Sequence, residues 1–75
     1  MNSVRGTVTV VQEDRFQLQS LEGRHYHFVL SRRAQVDGRD LLNMQRSGSL
    51  VDVRYRDDPA MLGHIARDIA LVRAP

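Results

Sequence analysis

Along most of this chain apolar side chains recur at every second residue, and only one short stretch switches to helical spacing. A period of two marks a pleated strand with one face buried. Five such segments within 75 residues leave room for little beyond one small sheet. A chain of this length buries only about 60% of the surface it exposes when unfolded. An open sheet would also leave two edges ready to pair with other chains. Closure into a barrel removes both edges, so residues 1–75 are expected to form one closed all-β domain. No Cys is present, so neither a disulfide nor a Cys-based zinc cluster reinforces it.

The first strand places Val4, Gly6, Val8 and Val10 on one face, and Arg5, Thr7, Thr9 and Val11 on the other. Gln12-Glu13-Asp14-Arg15 reads as a hairpin loop. In the second strand Phe16 and Leu18 point inward while Gln17 and Gln19 point out. Leu21 breaks that alternation, so the strand ends or bulges near Ser20. Leu21-Glu22-Gly23-Arg24 is a turn in which Gly23 accommodates positive φ. The third strand buries Tyr26, Phe28 and Leu30 and exposes His25, His27 and Val29. In the fourth, Val51, Val53 and Tyr55 face in against Asp52, Arg54 and Arg56 outside. A loop follows from Asp57-Asp58-Pro59 to Gly63. In it Met61 and Leu62 either offer an apolar contact or cap the barrel end. The last strand spans about His64 to Val72, with Ile65, Ile69 and Leu71 on one face. Arg67 falls on that face too, and a bulge or a rim position would accommodate it.

Helical spacing appears between the third and fourth strands. Asp37 is an N-cap with Asp40 three positions on, as in a capping box. Val36 and Leu41 stand where a hydrophobic staple would place them, and Leu41, Leu42 and Met44 or Gln45 supply a short apolar stripe. Gly48 is the natural stop. The spacing predicts a helix over about 38–47, too short to persist unless it packs on the sheet. The order β-β-β-α-β-β matches a five-stranded OB-type barrel, with the helix plugging its bottom. An SH3-like barrel fits less well because of where the helix stands.

Several segments resemble known families. Arg5-Gly6-Thr7-Val8 resembles the opening Gly-Thr-Val of cold-shock domains and of bacterial translation initiation factor one. Gly63-His64-Ile65-Ala66-Arg67-Asp68-Ile69 is similar to the closing strand of a cold-shock domain. The chain length, the helix position and Gly48-Ser49-Leu50-Val51-Asp52-Val53 look more like initiation factor one. The similarity covers about residues 4 to 72 and implies an OB barrel with an RNA partner. Cold-shock domains stack bases on exposed aromatics of strands two and three, each worth about 1–3 kcal/mol. Here Arg15-Phe16-Gln17-Leu18-Gln19 and His25-Tyr26-His27-Phe28 present Gln17, Gln19, His25 and His27 outward, so that stacking platform is missing.

The outer face of the first three strands is the expected contact surface for single-stranded RNA or DNA, RNA being favoured. Arg5, Thr7, Thr9, Gln17, Gln19, His25 and His27 would lie on it, with Arg15 and Arg24 at its edges and Arg32 and Arg33 extending it. Such groups contact phosphates and hydrogen-bond base edges. Against this stand Glu13-Asp14 and Asp57-Asp58, in the two loops that OB barrels use to grip ligands. All eleven basic residues are Arg, yet the net charge is only +2. Arg suits phosphates and bases, although a G- and C-rich genome also explains the usage. His25 and His27 have a spacing that fits a metal, but without a third ligand two surface histidines are the simpler expectation. No metal or cofactor is expected. No nucleophile, phosphate-cradling Gly loop or acid–base pair is evident, so catalysis is not expected. The alternative function is a protein-interaction module, with a partner protein or a second copy. No signal peptide or membrane span is read, and a soluble cytoplasmic protein is expected.

Overall fold

The computed structural model describes residues 2–57 and 63–72. Its elements are β1 (Asn2–Gln12), β2 (Arg15–Ser20), β3 (His25–Leu30), α1 (Gly38–Ser47), β4 (Leu50–Asp57) and β5 (His64–Leu71). The strands close into a barrel in the order β1-β2-β3-β5-β4. Pairing is antiparallel except between β3 and β5, which run parallel. This is the five-stranded OB-type barrel read from the sequence, with its helix between the third and fourth strands. Met61 and Leu62, and most of the loop that holds them, lie outside the described residues.

β1 is long because it serves two ladders. Asn2–Thr7 pair with β4, and Gly6–Gln12 pair with β2. The two ladders overlap at Gly6 and Thr7, where the backbones crowd. A Cβ on Gly6 would stand 2.1 Å from the Gln19 carbonyl oxygen. Beyond Thr7 the β4 side of β1 is covered by α1 instead, and Gln45 donates its Nε2 hydrogen to the Thr9 carbonyl at 2.8 Å.

Two bulges correct the expected faces. In β1 the register shifts between Val8, opposite Leu18, and Val10, opposite Gln17. Thr9 is the extra residue, and its hydroxyl donates to the Gln17 carbonyl at 3.2 Å. The alternation restarts one residue late, so Val11 packs on the core and Val10 faces outward. In β5 Arg67 is the extra residue, between Ala66 opposite Tyr55 and Asp68 opposite Arg54. The interior residues of β5 are therefore Ala66 and Ile69. Ile65 moves to the outer face beside Val29, and Leu71, opposite Val51 at the end of β5, is exposed. Bulges of this kind increase local twist, which helps a short barrel close.

The remaining faces are as the alternation predicts. Val8, Phe16, Leu18, Phe28, Leu30, Val51 and Val53 are buried, and Tyr26 and Tyr55 pack against them. Leu41 carries α1 into this core, whereas Leu42 is exposed. At the end of the barrel remote from α1, Tyr26, Phe28, Tyr55 and His64 form one aromatic cluster. The Tyr55 and His64 rings are 4.8 Å apart. His64 Nδ1 also hydrogen-bonds Asp57 Oδ1. Burial pushes the Tyr55 phenol pKa up, and Tyr26 and Asp57 add to the shift.

The helix starts and stops where its end residues dictate. Asp37 accepts from the Asp40 N–H at 3.0 Å, and the Asp40 carboxylate accepts from the Asp37 N–H at 3.0 Å. Val36 and Leu41 both join the core cluster, as a staple requires. Gly48 closes the helix at φ 64. The backbone N–H of Asp40 holds the Asp37 carboxyl below the usual range. A lowered folded pKa means the contribution is complete above the unfolded value of about 3.9. It fades as pH falls through the lower folded value. Asp37→Ala should therefore lower Tm near neutral pH, and its melting curve should converge on the wild-type curve in strong acid. A difference that persists unchanged in acid would show that the cap acts through something other than its charge.

Candidate nucleic-acid interface

Register converts the outer face of β1, β2 and β3 into rows of neighbouring side chains. Thr7, Gln19 and His25 form one row, and Val10, Gln17 and His27 the next. Gln12, Arg15 and Val29 form the third. Residues opposite each other on adjacent strands have Cβ atoms about 4.5–5.5 Å apart. Thr7, Gln17, Gln19, His25, His27 and Arg15 thus share one surface, as the sequence predicts. None of these nine row positions is acidic.

The other expected contributors are placed less favourably. Arg5 lies on the β4 side, where its Nε is 3.8 Å from the Asp52 carboxylate. This exposed pair contributes little to stability, but it lowers the charge that Arg5 offers a ligand. Arg24 pairs with Ser20 through the turn, its carbonyl accepting from the Ser20 N–H at 2.8 Å. It therefore has the inward parity of Tyr26 and stands at the end of β2 away from Arg15. Ser20 is five residue steps along the strand from Arg15, or about 17 Å. Arg32 and Arg33 are exposed in the segment after β3. The Ser31 N–H donates to the Ala66 carbonyl, so this segment starts against β5. The face that the structure assembles therefore has one cationic side chain in its rows, Arg15.

A cleft of about 480 Å³ opens on this surface. Gln12, Arg15, Gln17 and His27 supply its polar groups, and Val10 and Val29 supply apolar walls. Gly63, just before β5, closes one side. A Cβ there would come within 3.3 Å of the His27 carbonyl, so glycine lets the segment approach β3 closely. At the other side is the β1–β2 turn, where Glu13 takes φ 57 and both Glu13 and Asp14 are exposed. Sequence reasoning identified Arg15, Gln17 and His27 but missed Val10, Gln12 and Gly63. Val10 depends on the Thr9 bulge, and Gly63 on the parallel β3–β5 pairing. Only Gln12 was within reach, through its place opposite Arg15 across a two-residue turn.

No protein-family model matches the chain, and no curated protein matches it either. Among the described residues, no group of three or more His, Cys, Asp or Glu side chains converges to hold a metal. His25 and His27 stand in adjacent rows with Gln19 and Gln17 opposite them, side chains that offer amides rather than strong metal ligands. Also among the described residues, no helix is long and apolar enough to cross a membrane.

Proposed function

We propose that this protein is a small OB-type binding module for single-stranded nucleic acid, and that the outer face of β1–β2–β3 is its contact surface. The observation that supports this reading most is the cleft. Among the described residues its polar side chains all come from the side-chain rows, and no carboxylate lines it. It also lies between the β1–β2 turn and the start of β5, where OB barrels take oligonucleotides. The resemblance to cold-shock domains and initiation factor one favours RNA over DNA.

The structure also sets the expected strength. One Arg in the rows, flanked by Glu13 and Asp14, supports about one phosphate contact. For single strands the slope of log K against log salt is about −0.7 per contact, so the salt dependence should be shallow. The test is an NMR titration of the labelled protein with a pool of short RNA oligomers at low salt. Shifts should gather on Gln12, Arg15, Gln17, His27 and Val29. Arg15→Glu should weaken binding by roughly tenfold, the scale of one charge-assisted contact. Arg24→Glu, at the far end of β2, should change it much less. Absence of shifts, or shifts confined to α1, would remove this face from consideration.

A further inference from the structure

We propose that the cleft reads one unstacked base, adenine, through the side chains of Gln17 and His27. This rests on the nucleic-acid reading above and goes further by naming what is recognised and how.

The first support is what the face lacks. Both Phe and both Tyr residues of the chain belong to the inner cluster, with Phe16 and Phe28 buried and Tyr26 and Tyr55 packed against the core. No Phe, Tyr or Trp ring stands in the three outer rows, so bases cannot stack along this surface as on a platform of large aromatic rings. The second support is size. A volume of about 480 Å³ sits in the roughly 300–1,000 Å³ range of small-ligand pockets. That is room for about one nucleotide. The third is charge. Among the described residues Arg15 is the sole cation lining the cleft, and the Glu13-Asp14 turn beside it repels further phosphates. Affinity must then come largely from the base.

The arrangement of the polar groups selects the base. Gln17 and His27 are direct cross-strand partners. Among the described residues, neither side chain has a hydrogen-bond partner in the protein, so their polar atoms are available to a ligand. The Gln17 main chain is fixed by the Thr9 hydroxyl on its carbonyl. A side-chain amide offers one donor and one acceptor side by side. That pattern complements adenine N7 and N6 in a bidentate contact. His27 supplies either a donor or an acceptor, according to tautomer. Val10 and Val29 provide apolar walls for the base faces, and Arg15 reaches the phosphate of the same nucleotide.

The experiment is a competition series with short uridine oligomers carrying one central variable position: A, C, G, U or an abasic site. Wild-type protein should bind the adenine oligomer roughly tenfold or more tightly than the others, the discrimination expected of one bidentate contact. Gln17→Ala and Gln17→Glu should both erase that preference while far-UV circular dichroism confirms an intact barrel. Arg15→Glu should weaken all oligomers by a similar factor and leave the preference in place. Equal binding of all five oligomers by the wild type, or preference for another base, would overturn the base-reading proposal and leave nucleic-acid binding standing. An adenine preference that survives both Gln17 variants would overturn the assignment to Gln17. Failure to bind any oligomer would overturn the underlying reading itself.

Discussion

Gly6→Ala is expected to abolish cooperative folding at ordinary temperatures, although it adds a single methyl group. The reason is where β1 changes partners. Gly6 pairs with Ser20 of β2 and with Val51 of β4, so it lies in both ladders at once. A Cβ there would stand 2.1 Å from the Gln19 oxygen, 2.7 Å from its carbonyl carbon and 2.9 Å from Ser20 Cα. All three are backbone atoms, and no rotamer change relieves the contact. The strands would have to separate, breaking ladder hydrogen bonds on both sides and opening the barrel to water. A chain of this length has roughly 4–11 kcal/mol of total stability, and single changes that cost more than about 4 kcal/mol arise from steric conflicts of this kind. Urea unfolding followed by far-UV circular dichroism provides the measurement. Wild-type protein should show one transition, and Gly6→Ala little or no folded baseline. A midpoint close to wild type would mean that β1 and β2 do not approach this closely.

The same crossing shows what a linear sequence conveys and what it conceals. β2, β3 and β4 were legible because their alternation is uninterrupted from Phe16 to Leu18, Tyr26 to Leu30 and Val51 to Tyr55. The helix was legible because Asp37, Asp40 and Gly48 satisfy the backbone groups at its ends with their own short-range chemistry. The bulges were not legible. In Val8-Thr9-Val10-Val11 every residue suits a strand, and either Val10 or Val11 fits the interior. Which one enters is decided by the strand opposite. Arg67 did leave a mark, as a charge on an apolar face, but a bulge and a rim position are equally good local answers. Only the pairing of Ala66 with Tyr55 and of Asp68 with Arg54 selects the bulge. The candidate site divides in the same way. Gln17 and His27 follow from alternation alone, and Arg15 follows from its place at the end of the hairpin loop, on the edge of the same face. Val10 and Gly63 follow from tertiary register, and the neutralising contact between Arg5 and Asp52 exists only because β1 returns to β4 in a closed barrel.

Phe28→Ala is expected to cost about 3–5 kcal/mol, the range for removing a buried aromatic side chain, and to leave the barrel marginal. Phe28 is 2% exposed and lies where three strands meet. Its ring is 5.1 Å from Phe16 on β2, 5.3 Å edge-on from Tyr55 on β4 and 5.8 Å from His64 on β5. Such aromatic pairs add about 0.5–1.5 kcal/mol each beyond the area they bury. The cavity left by alanine cannot collapse easily, because these neighbours are anchored on separate strands. Phe28→Leu keeps most of the volume and should cost much less, roughly 1.5 kcal/mol. Urea melts followed by tyrosine fluorescence are well suited to the comparison, since Tyr26 and Tyr55 border the site. If alanine and leucine cost the same, loss of aromatic contacts rather than of volume dominates, and the cavity argument fails. The effect should extend to the outer surface. Phe28 separates His27 from Val29 on β3, and the only covalent link between the inner cluster and the cleft wall at this point is the β3 backbone. A β3 that no longer packs inward cannot hold His27 in register with Gln17. At temperatures where Phe28→Ala remains folded, it should therefore bind RNA more weakly than Phe28→Leu, because Phe28 lies buried against the floor of the cleft.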